Sequence, residues 1–311
     1  MIRVAFDIGG TFTDFVLVDE ATGGVAVHKV PSTPADPSQA VTDGMPALLA
    51  KAGVGAGAIN HLLHATTVAT NAIIQRKGAK TALITTRGFR DVLILGRQKR
   101  YETYDLHMVK PEPLVPREQI FEVTERVSYE GDVLTPMDQG ELAEAIAAVA
   151  EGGYDAVAVA FLHAYANPAH ERAVGDALRA RLPGVALSLS VDVSPKLREY
   201  ERTNTTVANS FVKPLVGEYV RRLSESFAGM GASAELSIMQ SNGGLVSPEL
   251  AREYPIRIVE SGPAAGVLLA GQVGHQIGAT HVLSFDRGGT TAKLGANDEG
   301  EQVLAPTFEI D

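Results

Sequence analysis

The chain has 311 residues, 45% of them apolar, and a formal net charge of -10. That size can bury a substantial core and form two domains, or one and a fraction, while the acidic balance argues against a nucleic-acid surface. The absence of cysteine excludes a disulfide framework, a thiol nucleophile and cysteine-ligated zinc, and no apolar run reaches the ~18 residues a membrane helix needs.

Met1 leads straight into a strand-like run instead of a signal peptide, so the expected compartment is the cytoplasm. Strand and helix patterns then alternate, which predicts a layered α/β fold. Residues 2–6 are rich in β-branched and aromatic types and predict a buried strand, with Asp7 projecting at its carboxyl end. In the turn that follows, Gly9 and Gly10 are expected to take positive φ and bring backbone N–H groups close to an anion. Thr11 adds a hydroxyl donor, and Thr13 joins the same candidate set. Residues 15–18 and 25–30 predict strands separated by a turn at Thr22, Gly23 and Gly24. Residues 37–52 predict a helix capped by Asp36, with a kink or restart at Pro46.

His61 and His64 stand three apart and could share a helix face as metal ligands. No third ligand of suitable spacing follows, so a structural role is favoured. Thr66 and Thr67 can cap the helix-like segment after them, whose N-terminal amides could face an anion. Residues 81–85 predict a strand. Arg97, Gln98 and Arg100 suit recognition of a carboxylate or a lactam carbonyl; a solvated basic loop is the competing reading. Pro111, Pro113 and Pro116 mark an extended stretch over the surface. Helices are predicted over 137–150, 168–182 and 203–229, the last interrupted near Pro214, and a buried strand over 156–162. Arg198, Glu199, Glu201 and Arg202 read as a salt-bridged helix face, with contact to a substrate as the alternative. Residues 260–270, ESGPAAGVLLA, predict a helix whose Gly262, Ala264, Ala265 and Gly266 either admit a close helix neighbour or pack in a core.

One phrase occurs twice. FDIGGTFTD at 6–14 returns as FDRGGTTAK at 285–293, again after an apolar strand-like run, here 282–285. Asp286 repeats Asp7, and Gly288, Gly289 and Thr290 repeat the glycine-threonine cradle. A single copy is more often only a hairpin turn, whereas two suggest a nucleotide gripped from two sides. Neither a GxSxG nucleophile elbow nor a Walker GxxxxGK[ST] segment occurs. Metal-assisted phosphoryl transfer is the chemistry these residues best support. Asp7 and Asp286 would position Mg2+ and an attacking group, while the Gly-Gly-Thr amides and hydroxyls stabilise charge on the transferred phosphoryl.

The paired loops resemble the superfamily of actin, sugar kinases and heat-shock chaperones, in which two ribonuclease-H-like halves share an ATP cleft. At a finer level the chain is similar to the hydantoinase A and 5-oxoprolinase family, which also supplies subunits of acetone and acetophenone carboxylases. The similarity runs through FDIGGTFTD, HATTVATNAIIQRKGAKTALITTRGFRDVLILGRQ at 64–98, YDLHMVKPEPLVPRE at 104–118 and FLHAYANPAHE at 161–171. It continues through VSPKLREYERTNTTVANSFVKP at 193–214, MQSNGGL at 239–245 and ESGPAAG at 260–266. Two positions depart from the family pattern: Arg287 stands where an apolar residue is usual, and Lys293 occupies the slot equivalent to Asp14. Family members are also considerably longer, with an adenosine-binding loop after the second phosphate loop.

The resemblance implies an actin-like ATPase fold, two α/β domains around a nucleotide cleft, with the first at 1–190 and an incomplete second at 191–311. It implies ATP and Mg2+ as cofactors, and a partner subunit of the hydantoinase B type in a hetero-oligomer. The implied activity is ATP-dependent hydrolysis of a cyclic amide such as a hydantoin or 5-oxoproline, through phosphorylation of its carbonyl oxygen. The alternatives are a subunit of an ATP-dependent ketone carboxylase and a non-catalytic nucleotide-binding fragment. Arg97 and Gln98 are the candidate substrate contacts.

Overall fold

The computed structural model describes residues 1–33, 36–98, 103–287, 292–303 and 305. It divides into two compact units: Met1–Ile74 with Leu215–Ile310, and Gln75–Pro214 inserted between them.

The first unit opens with β1 (Ile2–Ile8), β2 (Phe12–Asp19) and β3 (Gly24–Pro31), an antiparallel meander. Its strands alternate as a half-buried sheet requires: Val4, Phe6 and Ile8 of β1 and Phe15 and Leu17 of β2 are buried, while their neighbours face outward. Helix α1 (Pro37–Ala52) follows. Asp36 caps it by accepting from the Ser38 amide at 3.1 Å, and Gly53 ends it in the left-handed conformation. The kink expected at Pro46 does not break the helix, which runs through as one element. Pro46 is exposed and removes only its own bond. Strand β4 (Ile59–Thr66) then pairs parallel to β1, and α2 (Val68–Ile74) completes this part.

The second unit contains β5 (Thr81–Thr86), α3 (Val92–Leu95), β6 (Ile120–Val123), β7 (Arg126–Val127), β8 (Val133–Thr135), α4 (Gln139–Gly152), β9 (Ala156–Ala160), α5 (Ala169–Arg181), β10 (Ala186–Leu189) and α6 (Ser190–Val193). Strands β10, β9, β5 and β6 form a parallel sheet in that order. Every residue of β5 and β9 is buried. Ala82, Ile84, Val157 and Val159 pack with α4 and α5 on one face, and Leu83, Ala158 and Ala160 pack with Val207 on the other. A strand covered on both sides reads as a continuous apolar run, which is what these two segments are.

Helix α7 (Glu199–Gly229) runs through Pro214, where an interruption was expected, and the division between units falls just after that residue. The chain then returns to the first unit as β11 (Glu235–Met239), β12 (Leu245–Val246), α8 (Pro248–Glu253), α9 (Ser261–Ile277), β13 (His281–Arg287), β14 (Ala292–Asp298) and β15 (Glu301–Gln302). Strand β11 joins β4 in parallel, giving the sheet order β12-β11-β4-β1-β2-β3. A three-stranded meander extended by parallel strands through helical crossovers is the order expected of a ribonuclease-H-like half. Strands β13, β14 and β15 form a separate antiparallel sheet against α9. Among the described residues no helix is long and apolar enough to cross a membrane.

Of the salt-bridged face expected at residues 198–202, Arg198 and Glu199 are exposed and Glu201 pairs with Arg97, whereas Arg202 turns inward. Arg202 is 2% exposed and ion-pairs with Glu171, which is fully buried. Glu171 accepts from the Phe161 amide at 2.8 Å, the Ser190 hydroxyl at 2.6 Å and the Val191 amide at 3.0 Å. The opposite charge waiting at Glu171 turns this helix position inward, which no spacing rule within 198–202 contains.

Candidate functional site

In both copies of the repeated phrase the flanking strands pair antiparallel. In the first hairpin Asp7 lies directly opposite Asp14, and in the second Asp286 lies directly opposite Lys293. Both hairpins fall within the first compact unit.

Asp7 is the penultimate residue of β1, beside the carboxyl end of the parallel strand β4, where it aligns with Ala65. The carboxyl ends of adjacent parallel strands are the usual place for a ligand in a sheet of this kind. Solvent still reaches Asp7. The protein packed around it nevertheless pushes its carboxyl from the ordinary 3.8 up to about 6, helped by the negative charges of Asp14 and Asp286 and opposed by Lys293. Asp14 has its own partner, since the Lys29 ammonium on the neighbouring strand lies 2.9 Å away. Among the described residues Asp7 makes no ion pair within its hairpin.

The first glycine turn is tight for a different reason from the one expected. Neither Gly9 nor Gly10 is among the positive-φ glycines. Gly9 is needed for space, because a Cβ there would lie 3.2 Å from the Phe12 carbonyl that its own amide bonds at 3.0 Å. Ser32 holds the loop from behind, donating its hydroxyl to the Gly9 carbonyl at 2.7 Å and its amide to the Thr11 carbonyl at 2.9 Å. Gly10 and Thr11 are exposed. Thr13 is fully buried, with its hydroxyl 3.0 Å from that of Ser32. Gly288, Gly289 and Thr290 lie outside the described residues, as does Arg100. Asp286 and Arg287 end β13 and are exposed.

Helix α9 enters the site with its first turn. The Ser261 hydroxyl donates to the Thr66 carbonyl and accepts from the Thr66 amide, both at 3.0 Å, so the helix start is clamped to the end of β4. The Glu260 amide donates to Thr70 of α2 at 3.1 Å. A Cβ on Gly262 would sit 3.4 Å from Asp7 Oδ1, which brings the helix terminus against the carboxylate. Glu260 itself is left-handed at φ +64 and makes no side-chain cap; its carboxylate pairs instead with the Lys293 ammonium.

Below the site lies a group the sequence did not announce. His64 is in strand β4, not on a helix, so His61 and His64 project to opposite faces, one exposed and one buried. Burial holds His64 down at about 4, hence neutral. Its Nδ1–H donates to the Phe6 carbonyl at 3.2 Å and its Nε2 accepts from the Tyr219 hydroxyl at 2.5 Å. The ring stacks on Phe6 with centroids 4.4 Å apart. Tyr219 also bonds the Thr66 side chain, and burial raises its phenol far above the ordinary range. Both His64 nitrogens are occupied, so it braces β1 and β4 and is not a metal ligand here. Tyr219 carries no sequence signal, being one aromatic residue in a long helix.

Arg97 and Gln98 belong to the second unit. Arg97 is ion-paired with Glu201, and Gln98 has a positive φ of 54° with its amide bonded to the Leu95 carbonyl at 3.2 Å.

Among the described residues no three His, Asp or Glu side chains gather closely enough to hold a metal by themselves. The residues present fit Mg2+ in another way. That ion takes one or two carboxylates and completes its shell with water and phosphate oxygens, and the raised carboxyl of Asp7 reflects an excess of negative charge from Asp14 and Asp286 that Lys293 only partly offsets.

Comparison with known proteins places this geometry in a family. Residues 3–182 match the hydantoinase/oxoprolinase N-terminal region, and residues 202–310 match the hydantoinase/oxoprolinase family. An uncharacterized protein of Methanocaldococcus jannaschii is 37% identical over 99% of this chain and 45% of its own length. The crystal structure of ATP-dependent caprolactamase from Pseudomonas jessenii superposes with a TM-score of 0.86 and 33% identity, over 94% of this chain and 43% of that one. The nucleotide-free structure of acetone carboxylase, an enzyme of ATP-dependent acetone carboxylation, superposes at 0.85 with 27% identity, over 96% and 44% respectively. The chain thus spans less than half the length of the relatives it matches. The fold is the actin-like ATPase type, and the chain belongs to the hydantoinase/oxoprolinase family.

Proposed function

We propose that the chain carries the phosphate-binding part of an ATP-dependent enzyme that activates a carbonyl oxygen by phosphorylation. The observation that carries this reading is the convergence of Asp7, Asp286, Lys293 and the first turn of α9 at the carboxyl ends of β1 and β4. Asp7 and Asp286 position the metal, while the turn of Gly9, Gly10 and Thr11, with its counterpart at Gly288, Gly289 and Thr290, cradles phosphate oxygens. Bound Mg2+ supplies neutralisation of the charge on the transferred phosphoryl. Thr13 and Ser32 keep the first turn closed from beneath.

In the hydrolase reading the acceptor is a cyclic amide. Its oxygen attacks the terminal phosphorus as ADP leaves and the amide proton is lost; water adds to the activated carbon, the C–N bond breaks with the nitrogen taking a proton, and a second water releases inorganic phosphate from the acyl phosphate. The higher identity to caprolactamase puts this reading first. The equally close superposition on acetone carboxylase supports the second, in which the acceptor is a ketone and its phosphorylated enol is carboxylated. Either reading makes the chain one part of a larger assembly, with a hydantoinase B type subunit as the partner.

Calorimetric titration of Mg-ATP into the chain tests the common step. Saturable binding that disappears in Asp286→Ala is expected; no binding to the unaltered chain sinks the proposal. Phosphate-transfer assays of the assembled enzyme with lactams, hydantoins and ketones then separate the two readings.

A further inference from the structure

Resting on the ATP reading above, we infer that Lys293 is a phosphate-binding cation of this site, and that it exchanges Glu260 for an oxygen of the nucleotide's terminal phosphoryl group. Lys293 stands across the hairpin from Asp286 and acts electrostatically on Asp7, so it lies where the metal-bearing end of a nucleotide would sit. Its side chain is 23% exposed and that of its partner Glu260 is 11% exposed, which places the ion pair at the wall of the site and not on the open surface.

Glu260 is an unusual partner. A capping side chain accepts from the amide of the second or third helical residue, and here the third is Pro263, which has none. Glu260 makes no cap bond, its carboxylate lies with Lys293, and it occupies a left-handed conformation that a residue with a Cβ adopts at a cost. The first turn of the 17-residue helix α9 is therefore left uncapped beside Asp7. Pro263 offers no amide and that of Ala264 bonds the Glu260 carbonyl, so the Ser261 and Gly262 amides and the Lys293 ammonium are the donors that favour an anion at the same place. Phosphate oxygens satisfy both kinds of donor at once, whereas the Glu260 carboxylate satisfies only the ammonium. Glu260 thus stands in for phosphate, and the pair opens when a metal-bound nucleotide presents a better acceptor.

A brace that merely holds β14 against α9 makes different predictions from a phosphate contact, and four chains separate them. The unaltered chain, Lys293→Gln, Lys293→Arg and Glu260→Gln are titrated with Mg-ATP and Mg-ADP, after thermal denaturation shows that each is folded. Lys293→Gln is expected to weaken Mg-ATP about tenfold or more, the order lost with a hydrogen bond to a charged group, and Mg-ADP by less than about threefold. Lys293→Arg retains affinity within about threefold because the charge remains. Glu260→Gln binds Mg-ATP more tightly than the unaltered chain, since the ammonium no longer has to leave a carboxylate. Parallel weakening of both nucleotides by Lys293→Gln and Glu260→Gln overturns the inference in favour of a brace. Failure of the unaltered chain to bind either nucleotide brings down the ATP reading and this inference together, while a Lys293→Gln chain that matches it brings down this inference alone.

Discussion

Replacing Asp7 with Asn should stabilise the chain in the absence of ligand. The folded-state carboxyl is raised from 3.8 to about 6 by burial first and by Asp14 and Asp286 next. The folded chain therefore holds this proton more tightly than the unfolded chain does. The penalty for ionising Asp7 is absent below about pH 4, grows as pH rises through the window between the two values, and is complete above about pH 6. Taken in full, a displacement of this size is worth roughly 3 kcal/mol. Solvent reaches Asp7, and screening reduces the figure to about 1 kcal/mol. Asp7→Asn should then raise the melting temperature at pH 8 by roughly 1–3 °C for a chain of this size, with the gain shrinking toward zero near pH 4. Millimolar Mg2+ should stabilise the unaltered chain and leave Asp7→Asn unmoved. Differential scanning calorimetry across that pH range reads both effects. A variant less stable than the parent at pH 8, or a gain that does not change with pH, would refute the argument that charge crowding at Asp7 is the cost of a cation site.

Tyr219→Phe leaves the buried Nε2 of His64 without its donor and should cost about 1–2 kcal/mol in urea denaturation, whereas an unchanged midpoint would show that the bond is not made in solution. Arg202→Leu leaves the fully buried Glu171 without its charge partner and should destabilise the second unit by about 3–5 kcal/mol; a loss under about 1 kcal/mol, read by a probe placed in that unit, would show that the three other donors to Glu171 suffice.

The first hairpin was legible because everything it needs is local. Strand alternation, the apolar run ending at Asp7 and the Gly-Gly turn are written within a few residues, and the second copy supplied the repeat. The role of Gly9 was not legible, since positive φ and lack of room both select glycine, and only the 3.2 Å approach to the Phe12 carbonyl tells them apart. Helices over 37–52 and 203–229 were placed by periodicity, but Pro46 and Pro214 were over-read, because one missing amide does not interrupt a helix that packing holds on both sides. His61 and His64 were assigned a helical spacing where the chain forms a parallel strand, and that choice depends on β1 lying alongside.

By itself the sequence determined the chemistry available to this protein: two aspartates behind glycine-threonine turns, no thiol, and a string of motifs that identifies the family. What tertiary structure alone decided is how those groups meet. Asp7 acquires its raised carboxyl only when burial and two distant carboxylates surround it, and Lys293 finds Glu260 only because α9 packs against β13 and β14. Arg202 is a surface charge in any local reading and a core residue once Glu171 is folded beneath it. Electrostatic energy depends on distance and on the dielectric around a group, and neither quantity exists until the chain has folded.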